Sequence, residues 1–113
     1  MRTHLTLTKM TTGKETRFKD KVIKYLTERG AYVIKIHGGS LQKSGEPDII
    51  ACYKGWFLGF ELKTDEGRPT KLQQYKVKQI QRAGGYAMVT SSLEEIKEVL
   101  HEISRLQSGG EPK

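Results

Sequence analysis

Gly45-Glu46-Pro47-Asp48-Ile49-Ile50-Ala51-Cys52-Tyr53-Lys54-Gly55-Trp56-Phe57-Leu58-Gly59-Phe60-Glu61-Leu62-Lys63 is the stretch on which the fold turns. Residues 48–53 are an almost unbroken apolar run, which predicts a strand buried on both faces. Cys52 within it is expected to be a small buried hydrophobe. Lys54-Gly55 supplies a two-residue turn and 56–63 a second strand, so the two read as a hairpin. The ends of this hairpin are charged. Asp48 opens the first strand, and Glu61 and Lys63 close the second. Residues two apart on a strand share a face, so Glu61 and Lys63 lie on one side. The start of the first strand lies beside the end of the second, which lets Asp48 approach Glu61 across the ladder. Two carboxylates and an ammonium then gather at one end of a sheet.

The flanks supply the rest of the architecture. Residues 1–11, rich in Thr, read as a short edge strand or a loose arm. Thr12 and Glu15 fit a capping box, followed by Phe18, Val22, Tyr25 and Leu26 at helical spacing and a stop at Gly30. Residues 31–36 are β-branched and aromatic, a strand. The Gly-rich loop 37–47 leads into the hairpin. Pro69 and Thr70 open a second helix over 70–82, with Leu72, Tyr75, Ile80 and Ala83 expected inward and Gly84-Gly85 at its end. A strand follows at 86–90. Ser92 and Glu95 form a further capping box, which begins a third helix striped by Leu93, Ile96, Val99, Leu100, Ile103 and Leu106. The order α-β-β-β-α-β-α predicts a single α/β domain, a central mixed sheet of about four strands flanked by helices. The hairpin strands and the one before them form a meander, and the second helix makes a crossover. The expected division is an arm over 1–11, a domain over 12–106 and a disordered tail over 107–113.

Composition narrows the function classes. The 113 residues carry 20 Lys and Arg against 13 Asp and Glu, a net charge of +7. The excess is concentrated in residues 1–85, at +9, while 86–113 carry −2. A basic body suits a polyanion partner, with a solvated surface as the bland alternative. No apolar stretch approaches the roughly 18 residues of a membrane span, and no secretory signal is visible, so a cytoplasmic protein without membrane attachment is expected. A single cysteine excludes an internal disulfide and a cysteine-based zinc cluster.

Two close carboxylates repel unless a cation sits between them. Hard oxygen ligands with open positions select Mg²⁺ or Mn²⁺ and leave room for water and phosphate. A protonated lysine is no ligand, but beside a metal-bound water it orients the nucleophile or stabilises negative charge. The set suits phosphodiester hydrolysis. The same three residues also fit a plainer description, with Glu61 and Lys63 facing solvent and Asp48 a turn residue after Pro47. Spacing alone leaves both open.

The order of motifs resembles the PD-(D/E)XK nucleases, and within them the VRR-NUC family of virus-type replication-repair nucleases. The resemblance runs from Glu15 to about Leu100. It rests on Glu15 at the helix start, the turn Arg29-Gly30-Ala31, the G-x-P-D of 45–48, Glu61-Leu62-Lys63, Gly67-Arg68, Gln73, and the return Gly84-Gly85-Tyr86. It implies a restriction-endonuclease-like fold and a Mg²⁺-dependent deoxyribonuclease, with Mn²⁺ able to substitute and no small-molecule cofactor. Branched DNA of the Holliday junction kind, a role in DNA repair, a phage or bacterial setting and a homodimer are implied as well. In the family pattern Asp48, Glu61 and the Leu62 carbonyl are metal ligands, joined by Glu15 directly or through water. Lys63 positions the attacking water, and Gln73 braces the site. The sequence departs from the pattern at Pro69-Thr70-Lys71-Leu72-Gln73, where relatives often carry a Ser-Pro-Glu-Gln type start.

Lys43, Arg68 and Lys71 flank the expected site and form a candidate DNA-binding set. Glu15 and Gln73 each have a capping explanation beside the functional one. His37 is read as loop surface, His4 and His101 as incidental, and Trp56 as a core or interface residue. Two rival readings are a basic DNA-binding module of the same fold without cleavage, and an assembly protein using the last helix as a partner surface.

Overall fold

The structure is a computed structural model that describes the backbone of residues 3–36, 45–64 and 67–109, and the side chains of these from 13 to 107. Seven elements follow in the expected order: α1 (Thr3–Glu28), β1 (Tyr32–Lys35), β2 (Ile49–Tyr53), β3 (Trp56–Leu62), α2 (Lys71–Arg82), β4 (Tyr86–Thr90) and α3 (Leu93–Gly109). The sheet order is β1-β2-β3-β4. The first two pairings are antiparallel and β3 pairs with β4 in parallel. The β2–β3 turn is the two-residue kind expected, with Lys54 at φ 50° and Gly55 at φ 85°.

Strand alternation divides the side chains between two faces. Ile49, Ala51, Tyr53, Leu58, Phe60 and Leu62 point to one face, where Val22 and Leu26 of α1 and Ile96, Leu100 and Ile103 of α3 join them in the core. Trp56 closes that core edge-on against Tyr86, with ring centroids 5.1 Å apart. The other face carries Tyr32, Ile34, Ile50, Cys52, Phe57, Gly59 and Glu61, and α2 packs on its β3 and β4 side. Gly59 makes this approach possible. A Cβ there would lie 2.9 Å from the Ile80 Cδ1 and 3.2 Å from the Pro47 Cγ. Among the described residues, no helix is long and apolar enough to cross a membrane.

Five expectations need correction. The apolar run 48–53 is buried on one face only, and Cys52 is exposed, because α2 covers β3 and β4 but leaves β1 and β2 bare on that side. On α2, Leu72, Tyr75 and Ala83 are exposed and Val77 is the buried residue, since the helix meets the sheet along the line of Val77 and the half-buried Ile80. Ser92 accepts from the Glu94 N–H, but the Glu95 carboxylate is taken by the Thr90 hydroxyl instead of closing a capping box. Residues 3–12 are helical rather than an arm, and the break falls at Gly13, whose φ of 69° and ψ of −155° interrupt α1 beside the expected Thr12 start. Helix α3 runs to Gly109, past the expected end at 106. The side chains of His4 and Thr12, together with His37, Lys43 and the tail from 110, lie outside the described residues.

Candidate active site

The register Ile49↔Phe60, carried one step further, sets Asp48 opposite Glu61. Asp48 is held there by the hairpin itself: its Oδ2 accepts the Leu62 N–H at 2.8 Å. Its carbonyl accepts the Ile36 N–H, which ties the residue to the end of β1. Glu61 is only 3 % exposed. One of its oxygens, Oε2, accepts from Gln73 Nε2 at 2.8 Å and lies 3.4 Å from the Lys63 ammonium. The other, Oε1, is buried and, among the described residues, has no hydrogen-bond partner. Burial first, and the negative charge of Asp48 second, push the Glu61 carboxyl up to about 7, against the pull of Lys63; Glu15 adds the smallest upward push. A buried carboxylate oxygen without a donor is costly, and the arrangement makes it costlier by placing a second carboxylate nearby. A divalent cation accepts hard oxygen donors and removes both penalties, so Asp48 and Glu61 fit such an ion.

Helix α2 braces the cluster. Thr70 is its N-cap: its hydroxyl accepts the Gln73 N–H at 3.0 Å, while Gln73 Oε1 accepts the Thr70 N–H at 2.8 Å. The capping and functional explanations for Gln73 are therefore not alternatives. One side of its amide closes the capping box, and the other side reaches Glu61. The glycine of the G-x-P-D motif fits the same helix. Gly45 takes φ 77°, and a Cβ on it would stand 2.6 Å from Leu72 Cγ. Loop, hairpin and helix start are thus fitted to one another at the end of β3 where the charges collect.

The family model for archaeal Holliday junction resolvases (Hjc) matches residues 10–111. The chain belongs to the Hjc family. Among solved structures it is similar to the Hjc of Archaeoglobus fulgidus, described as a Holliday junction resolvase from an archaeal hyperthermophile. The identity is 23%, the TM-score is 0.53, and 66% of this chain and 64% of that one are covered. The match thus spans a little under two thirds of that relative's length, and the likeness is one of fold. No curated protein matches the chain. Hjc membership agrees with the PD-(D/E)XK reading of the sequence and with the α-β-β-β-α-β-α fold it implied.

Within this Hjc-family chain, Asp48, Glu61, Lys63 and Gln73 come together, and Leu62 joins through its backbone while its side chain turns into the core. Glu15 does not join as closely. It is exposed on α1, and among the described residues no three His, Cys, Asp or Glu are close enough to form a metal-binding group. Arg68 and Lys71 are exposed beside the site, Lys71 as the first residue of α2. Sequence reasoning did not single out a second cationic set, Lys14, Arg17 and Lys21. Their spacing of three and four residues beside Glu15 was the available signal.

Proposed function

We propose that this chain is a divalent-metal-dependent endonuclease that hydrolyses DNA phosphodiester bonds at branched, Holliday junction-like substrates. The observation that carries the reading is the buried Oε1 of Glu61, which has no donor among the described residues, on the carboxylate opposite Asp48. Asp48, Glu61 and the Leu62 carbonyl would hold the ion, with Glu15 joining directly or through water. When bound, Mg²⁺, or Mn²⁺ in its place, supplies Lewis acidity and a water of lowered pKa. Lys63, whose ammonium lies 3.4 Å from the Glu61 Oε2, would stabilise the negative charge that develops on the phosphoryl oxygens as water attacks phosphorus and the 3′ oxygen leaves. Gln73 fixes the Glu61 carboxylate by one oxygen and so leaves the other for the ion. The basic excess supports binding through the DNA backbone, and no base-reading motif stands out in the sequence.

Cutting two strands symmetrically takes two active sites, so a C2 homodimer follows. The bare part of the sheet supports it. Tyr32 is 71 % exposed, Ile34 and Phe57 are exposed, and Cys52 lies in register between Tyr32 and Phe57. An apolar sheet face of this kind suits a second copy of the same surface. A DNA substrate puts the place of work in the cytoplasm. The finer likeness to VRR-NUC proteins, with a phage or bacterial source and a role in repair, rests on the motif order.

Incubating the protein with labelled four-way junctions and linear duplexes, in Mg²⁺, Mn²⁺ or chelator, tests the reading. Metal-dependent cutting of the junction, lost in Asp48→Ala and Lys63→Ala while junction binding persists, is the expected result. Wild-type protein that binds junctions but cuts none under any metal would favour a non-cleaving module of the same fold.

A further inference from the structure

A cleft of about 410 Å³ opens beside this site, lined by Lys14, Arg17, Phe18, Lys21, Thr64 and Ser91. Lys14, Arg17, Phe18 and Lys21 fall on one stripe of α1, at helical spacings of three and four. Thr64 and Ser91 come from the ends of the two parallel strands. Thr64 follows Lys63 directly, and Ser91 follows Thr90, whose carbonyl accepts the Lys63 N–H at 2.9 Å. One wall of the cleft therefore begins one residue from the catalytic lysine. Three cations and two hydroxyls line it, and among the described residues no carboxylate does. Among the described residues neither Arg17 nor Lys21 has a carboxylate partner, whereas Lys24, on the same helix, is paired with Glu28 at 2.7 Å. Arg17 and Lys21 in a concave surface, with the Thr64 and Ser91 hydroxyls beside them, are suited to a chain of phosphates.

We infer that this cleft seats the sugar–phosphate backbone of the cut strand immediately beside the scissile phosphate. The inference rests on the nuclease reading for the position of that phosphate and on the cleft itself for the contact. Arg17 and Lys21 each neutralise a backbone phosphate, and Thr64 and Ser91 donate to phosphate oxygens where the strand leaves the site. Phe18 forms the apolar floor under the sugars.

The test measures junction binding in chelator, where cutting cannot intervene, as a function of salt. Each lost phosphate contact lowers the slope of log affinity against log salt by about 1. Arg17→Ala/Lys21→Ala should flatten the slope by roughly 2. Lys54→Ala/Lys78→Ala, which removes equal charge at the far end of the hairpin and along α2, should leave it nearly unchanged. Single neutral methylphosphonate linkages stepped along the cut strand should weaken wild-type binding next to the scissile position and leave the Arg17→Ala/Lys21→Ala protein indifferent there. Equal slopes for the two double variants, or sensitivity to the neutral linkages that survives the substitution, would overturn the inference. Flattened slopes in a protein that never cuts would keep the cleft as a backbone site and refute the nuclease reading, so the two failures are distinct.

Discussion

Glu61→Gln should yield a protein that is more stable and inactive. The Glu61 carboxyl is pushed from 4.5 up to about 7 by burial and by Asp48. At 1.36 kcal/mol per pH unit this difference corresponds to about 3 kcal/mol. The sign follows from proton counting. Below pH 4.5 the carboxyl is protonated in both folded and unfolded chains and costs nothing. Between 4.5 and 7 the unfolded chain gives up its proton and the folded one keeps it, so stability falls as pH rises. Above 7 the full burden of a buried charge is present. The substitution removes that charge and keeps an amide oxygen to accept from Gln73, but Lys63 loses its ion-pair partner, which leaves a gain of about 2 kcal/mol. At roughly 4 °C per kcal/mol for a domain of this size, the melting temperature at pH 8 should rise by about 8 °C. Circular-dichroism melts of wild type and Glu61→Gln in chelator, at pH 8 and pH 5, read this directly. The gap should be wide at pH 8 and nearly closed at pH 5, and the variant should not cut DNA. A variant that melts no higher at pH 8, or a gap of equal size at both pH values, would refute the reasoning.

Gln73→Ala removes both the reciprocal cap and the donor to Glu61. We expect about 1 kcal/mol of lost stability together with a roughly 10- to 100-fold slower single-turnover cleavage at unchanged junction affinity; wild-type rates would reduce Gln73 to a cap. Gly59→Val drives a side chain into Ile80 and Pro47, the residue before Asp48. It should cost about 1–3 kcal/mol in denaturant unfolding and slow cleavage, whereas an unchanged midpoint would mean that α2 is not seated as described. Phe57→Glu places charge on the bare sheet face and should turn a dimer into a monomer in sedimentation experiments, while a dimer that persists would move the interface elsewhere.

Much of this was legible in the sequence because the hairpin is self-specifying. An apolar run, a Lys-Gly turn and a second run of matching length set the register, and the register alone puts Asp48 across from Glu61. What the sequence concealed depends on what covers each face. Residues 48–53 look buried on both sides, yet Cys52 is exposed because a single helix cannot cover four strands. Leu72 and Tyr75 suit the inner side of α2 by type, but the line of contact runs through Val77 and Ile80. Glu95 stands at capping distance from Ser92 and bonds to Thr90 instead, since the strand end presents a closer hydroxyl. The two roles of Gln73 seemed to compete because a sequence shows one residue rather than the two ends of its amide. The Lys14, Arg17 and Lys21 cleft takes shape only once α1 lies against the ends of β3 and β4.

The central claim is that Asp48 and Glu61 share a divalent cation. Titration calorimetry with Mn²⁺ at pH 8, without DNA, tests it on wild type and on Asp48→Asn, which keeps an oxygen to accept the Leu62 N–H and so preserves the hairpin. Saturable binding by wild type, weakened at least tenfold by the substitution, is the predicted result. Equal Mn²⁺ affinity in the two proteins would contradict it.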